Sequence, residues 1–287
     1  MKRFHKIFQL WGIVVSMLVI LLVLSAATYA WFSTNRVVTT DRATARSGTD
    51  SLQLQISESG GSDFRGSEET AIVQINTASQ TQLMPVSTSD LKTFVYNPAS
   101  VDDMATNFKT VENEKYYYHG RIYLRATAEG KDAGARMALY LDEDNEVGGA
   151  LAQSNDGQLL NAARLGLTFD GGSPVIFSLS DAHNDVQEQR RNTVLNGVML
   201  GDDQVLSASG GNLTAVADPS ISLESRKILM DNATVTLPAE PLMYMTLNQI
   251  YTVDIYFYIE GCDMDCTDSI SYDEADLHLA FYGILEE

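Results

Sequence analysis

The sequence predicts an all-β protein, an antiparallel β-sandwich with one or two short helices, preceded by an N-terminal apolar helix. Apolar and polar residues alternate with period two in several runs, and clusters of Gly, Asn, Asp and Ser separate those runs. Only two stretches beyond the leader have a helical pattern. Alternation implies one wet and one dry face per sheet, so two such sheets hide their dry faces against each other.

The first element is the apolar leader, residues 1–30. Lys2, Arg3 and Lys6 precede a run from Ile7 to Ala30 that holds no Asp, Glu, Lys or Arg. Such a run is long enough for a bilayer span, which needs about 20 residues, and its basic flank keeps the N-terminus cytoplasmic and the rest outside. Small residues close the run. Ser25 and Ala27 allow a signal-peptidase cut between Ala27 and Thr28, and Thr28 and Ala30 allow one between Ala30 and Trp31. If the leader is retained, it is a membrane anchor with Trp31 and Phe32 at the interface. Residues 31–48, "WFSTNRVVTTDRATARSG", form an extended segment before the domain of residues 49–287.

Strands follow. In "SLQLQIS", Leu52, Leu54 and Ile56 point one way and Gln53 and Gln55 the other. "GRIYLRATAEG" turns Ile122, Leu124, Ala126 and Ala128 inward, "ARMALYLDED" Met137, Leu139 and Leu141, and "YTVDIYFYIEG" Tyr251, Val253, Ile255, Phe257 and Ile259. "ADLHLAFYGI" closes the chain with Leu277, Leu279 and Phe281 inward, which turns His278 to solvent or to the far side of the sheet. With "TAIVQI", "LGLTF", "PVIFSLS" and "PLMYMTL", this gives about nine or ten short strands, the count of a sandwich. The helical candidates are "GQLLNAARLG" and "SLSDAHNDVQEQRRNT". Residues 202–231, rich in Ser, Gly and Ala, read as a long insertion.

The chain has 38 acidic against 19 basic residues, a net charge of −19, and removing the leader makes it more negative. That charge repels nucleic acid and anionic lipid and favours solubility and cationic partners. A hydrophobic content of 45% supplies a core, which separates the chain from disordered acidic proteins.

No catalytic constellation is visible. His119, His183 and His278 are the histidines beyond the leader, none lies beside a recognisable nucleophile, and the Gly-Gly pairs lack the Lys-Ser of a phosphate loop. The sequence therefore points away from an enzyme and calls for no cofactor. Cys262 and Cys266 are the only cysteines. Outside the cell a short local disulfide is the leading expectation, with free thiols the alternative. In "DMDCTDSISYDE", Asp263, Asp265, Thr267 and Glu274 fall at calcium-loop positions one, three, five and twelve, but Asp268 stands where the loop requires glycine. A solvated acidic turn is the plainer reading, with Asp263, Asp265 and Glu274 as weak calcium candidates.

The stretch "ATYAWFSTNRVVTTDRATARSGTDSLQLQIS" resembles the TasA and camelysin group, exported proteins of Gram-positive bacteria whose signal peptides are cut by a dedicated signal peptidase of the SipW type. Ser47, Gly48, Thr49, Leu52 and Leu54 match the start of that group's first strand, with an extra Asp50-Ser51. "YTVDIYFYIEGCDMDC" resembles the last part of related clostridial surface proteins. The resemblance implies a jelly-roll sandwich, cleavage between Ala30 and Trp31, and export to the cell surface or biofilm matrix. It also implies fibres in which residues 31–48 serve as a donor strand, weakly held in the monomer until a neighbour accepts it. The implied partners are other copies, related matrix proteins, the signal peptidase during export and, for an uncleaved chain, the membrane. The alternative is a membrane-anchored surface adhesin or binding module.

Overall fold

A computed structural model describes residues 37–47, 52–61, 63–65, 81–97, 108–112, 116–132, 134–142, 152–153, 158–180, 194–195, 198–200, 203–208, 212–231, 234–266 and 274–286. The chain divides into two compact units, Met1–Asn35 and Arg36–Glu287, and every described residue belongs to the second.

It begins with β1 (Val37–Ser47) and β2 (Leu52–Ser57). Four two-residue strands follow: β3 (Thr81–Gln82), β4 (Pro85–Val86), β5 (Val95–Tyr96) and β6 (Lys109–Thr110). Then come β7 (Tyr118–Ala128), β8 (Arg136–Leu141), β9 (Ala152–Gln153), the short helix α1 (Gln158–Ala162), β10 (Ala163–Phe169) and β11 (Val175–Ser178). The next region holds β12 (Val194–Leu195), β13 (Val198–Met199), β14 (Gln204–Ser207), β15 (Thr214–Ala217) and β16 (Ile221–Ser222). β17 (Leu229–Asp231), β18 (Thr234–Thr236), β19 (Met243–Thr246), β20 (Ile250–Glu260) and β21 (Glu274–Leu285) complete the set.

Among the described residues two large sheets form. One runs β19-β8-β21-β1-β3, with β9 also on β21. The other runs β16-β11-β10-β20-β7-β2, with β4 also on β20. The all-β expectation holds, but strand directions are mixed rather than purely antiparallel: β1 and β21, β11 and β16, and β4 and β20 pair in parallel. Alternation reports which face is buried and carries no information on direction. Between strands from opposite ends of the chain, no hairpin turn enforces an antiparallel match.

One apolar cluster takes side chains from both sheets. Leu54, Ile56, Ile122, Leu124, Val253, Ile255 and Phe257 come from one, and Met137, Leu139, Leu277, Leu279 and Phe281 from the other. These are the residues whose alternation turns them inward. The outer faces are drier than alternation suggests. Val86, Leu91, Phe94 and Tyr258 form a second cluster over β20, and Ile228 packs with Ala138, Tyr140 and Tyr282 over β8 and β21. His278 does face the far side of its sheet, but it is buried there rather than solvated.

The cover over β10 and β20 explains one glycine. A Cβ on Gly166 would lie 2.5 Å from Leu91 Cδ1, so the glycine leaves the space into which the Leu91 side chain packs on β10. That loop is held by Thr88 Oγ1, which accepts the Leu91 N–H, and by Asp90, whose carboxylate accepts the N–H groups of Lys92 and Thr93.

Three local expectations change. The helix expected over "GQLLNAARLG" stops at Ala162, and the rest becomes β10, because Leu165 and Leu167 gain more by pairing with Phe257 and Ile255 of β20. The described parts of the 202–231 insertion hold short strands and a 3-10 turn, with Val205, Leu206 and Ile228 buried. The segment 31–48 contains β1, a paired strand rather than a tail. "TAIVQI" and the second helical candidate beyond Ser180 lie outside the described residues.

Candidate functional site

Two features of the fold bear on function, the pairing of β1 and the turn that ends β20. β1 lies along β21 in parallel from Val37↔Glu274 to Ser47↔Gly283, with one irregularity between Thr40 and Arg42 that skips Asp41. On its other side β3 meets only Val37 and Val38. From Thr39 to Ser47, among the described residues, β1 therefore has a strand partner on one side only. The register brings the two ends of the domain together and makes β21 the inner neighbour of both β8 and β1.

The turn after β20 is the acidic stretch "EGCDMDC". The Gly261 N–H donates to Val86 O at 2.7 Å, and the turn then closes on itself. Asp263 N–H donates to Glu260 O, Cys266 N–H donates to Asp263 O, and Asp265 N–H donates to Asp263 Oδ1. Asp263 Oδ2 accepts from Arg164 Nη2 at 2.6 Å, and the same nitrogen reaches Asp218 Oδ2 at 3.2 Å. Arg164 thus ties together β10, the segment after β15 and the turn after β20. Burial works against its charge, but Asp263, Asp218 and Glu260 outweigh that and hold the guanidinium protonated above its ordinary value.

Glu260 is the odd member. Its Oε1 accepts the Cys262 N–H at 3.0 Å, while among the described residues its buried Oε2 and the buried Arg164 Nε find no partner. Burial pushes the Glu260 carboxyl up to about 8. Hydrogen bonding to Ser87 and the Cys262 N–H, and the Arg164 charge, pull it only partly back. Glu260 is therefore a neutral acid at neutral pH.

Cys262 and Cys266 flank this turn, both buried, and the expected bridge between them is not formed in this structure. Burial, then the neighbouring Glu260, push the Cys262 thiol up. The calcium reading of the loop meets a different cation. Both oxygens of Asp263 are committed, one to Arg164 and one to the Asp265 N–H, so the turn folds around a guanidinium. Glu274 opens β21 opposite Val37, and Thr267 and Asp268 lie outside the described residues. Among the described residues no group of three or more His, Cys, Asp or Glu is placed to hold a metal ion.

Sequence reasoning missed a second charged group. His119 Nε2 lies 3.2 Å from Asp254 Oδ1, which also accepts from Arg121 Nε at 2.6 Å, and the His119 ring stacks on Tyr256 with centroids 4.5 Å apart. β7–β20 register places these residues opposite one another. That register was the only signal, since the partners lie more than 130 positions apart.

The cleavage candidates Ala27, Thr28, Ala30 and Trp31, with the leader, lie outside the described residues, and His183 does too. Among the described residues no helix is long and apolar enough to cross a membrane. No protein-family model matches the chain, and no curated protein or solved structure matches it significantly.

Proposed function

We propose that the chain is an exported structural protein of the TasA and camelysin kind, from the surface or biofilm matrix of a Gram-positive bacterium. Its two large sheets form a jelly-roll-like sandwich, its leader is removed between Ala30 and Trp31, and its copies join by exchanging β1. The observation that supports this most is the parallel pairing of β1 with β21. A strand near the start of the domain fills the flank of its last strand. Without it β21 would present unpaired backbone groups along its length, and the β1 of a second copy would satisfy the same groups in the same register. The tail is stored in its own chain rather than left loose, so assembly is an exchange of strands in the manner of domain swapping. The role is structural, and neither cofactor nor catalytic residue enters it.

Thr44 and Ala280 are register partners. A Thr44→Cys, Ala280→Cys bridge in the protein beginning at Trp31 would tie β1 to its own β21. Filaments seen by electron microscopy should be absent from the bridged protein and return on reduction. Filaments that form equally well with the bridge closed reject strand exchange. A protein that stays monomeric with the bridge open, even when concentrated, points instead to the membrane-anchored binding module.

A further inference from the structure

The chain leaves the first sheet and returns to it at one place. Ile228 N–H donates to Leu141 O and Leu242 N–H to Leu139 O, both on β8. Between these anchors, among the described residues, β17 and β18 pair only with each other, as a two-stranded sheet of their own. All three residues of β18 are exposed. Among the described residues five large apolar side chains are exposed. Leu229, Val235 and Leu237 belong to this arm, and Tyr244 lies on the neighbouring edge strand β19.

A two-stranded hairpin packed against nothing is marginal in water. Natural sheet edges are guarded by charges, prolines or bulges, yet Thr234–Leu237 carries neither a charge nor a proline and is rich in strand-favouring residues. Charge selects the partner. With a net charge of −19, copies of this chain repel one another over most of their surface, but residues 232–239 hold no charged side chain at all. An unguarded strand edge is complementary to itself when turned through a twofold axis, because each copy supplies the donors and acceptors that the other lacks.

We propose that the β17–β18 arm is a dimerisation element that pairs antiparallel through β18 with the same arm of a second copy, with Val235 and Leu237 covered at the contact. The contact uses no part of β1 and does not depend on strand exchange.

The test takes the Thr44→Cys, Ala280→Cys bridged protein, in which β1 cannot leave, and follows its mass by sedimentation velocity over a concentration series. It should pass from monomer to dimer. Adding Val235→Lys and Leu237→Lys should move that transition to at least about tenfold higher concentration. Circular dichroism should stay unchanged, and so should the melting temperature at concentrations where both proteins are monomeric, since both positions are exposed there. Thr236→Cys in the otherwise native protein should give a disulfide-linked dimer under mild oxidation. A bridged protein that stays monomeric throughout, lysine substitutions without effect, or a Thr236→Cys protein that fails to cross-link would overturn the proposal. Filaments from the bridged protein would count against strand exchange alone.

Discussion

Replacing Glu260 by Gln isolates the buried acid. Gln keeps the oxygen that accepts the Cys262 N–H and can never ionise. In the fold the carboxyl releases its proton at about 8, against an ordinary 4.5. Below the ordinary value both folded and unfolded chains hold the proton, and Glu260 makes no pH-dependent difference. Between the two values the unfolded chain has lost the proton and the folded chain keeps it, so stability falls as pH rises and levels off above the folded value. Each tenfold difference in proton affinity is about 1.4 kcal/mol, so the full loss is roughly 5 kcal/mol. Between about pH 5 and pH 7.5 it is roughly 3 kcal/mol. Other groups titrate in the same range, but they are common to both proteins and cancel when wild type is subtracted from variant. Urea unfolding followed by circular dichroism at both pH values gives the two differences. The Gln protein should gain on wild type by roughly 3 kcal/mol over that interval. A gap that stays flat with pH would mean that Glu260 ionises normally in the fold, and the description of the turn would be wrong.

Other perturbations act on the same framework. Arg164→Met leaves Asp263 buried without its cation and should cost about 3–5 kcal/mol, with Asp263→Asn recovering part of it; urea titrations of the single and double variants measure both, and a loss under about 1 kcal/mol would deny the ion pair its role. Gly166→Ala forces Leu91 off β10 and should cost about 1–3 kcal/mol in thermal unfolding, whereas a neutral result would place the loop farther away. Cys262 and Cys266 are buried, and the Cys262 thiol is held protonated, so protein folded under reducing conditions and moved to air should stay a dithiol. Alkylation should then find no thiol in the native state and two after unfolding without reductant. On that reasoning, any bridge between them forms before the turn closes.

The strands with strict alternation were legible because their pattern records a one-sided burial that the final sheets enforce. Ile122, Leu124 and Ala126 face inward as read, and so do Leu52, Leu54 and Ile56. Hidden from the sequence was everything that depends on pairing over long distances. Arg164 reads locally as part of a helix, "LLNAARL", and nothing near it announces Asp218 or Asp263, which lie 54 and 99 positions away. In a strand, however, Arg164 alternates with Ala163 and Leu165 and must point outward, where the turn after β20 also lies. The burial of Tyr258 was illegible for a related reason. Val86, Leu91 and Phe94, which cover it, come from a two-residue strand and the loop after it, a stretch with no period to detect.

Under the proposed strand exchange, the β1–β21 pairing has a consequence for assembly. In closed and exchanged forms β1 makes the same bonds to β21, so the pairing itself favours neither form. Concentration then decides the balance. The barrier is another matter. Releasing β1 exposes its backbone and that of β21, at about 0.5–1.5 kcal/mol net for each bond lost, so a folded monomer would exchange slowly even where the proposed polymer was favoured. If the leader is cut as proposed, the order of cleavage and folding would then matter more than affinity. A chain whose β1 were freed while β21 was still unpaired would choose its partner without crossing that barrier, and one that folded first would carry β1 locked against its own β21.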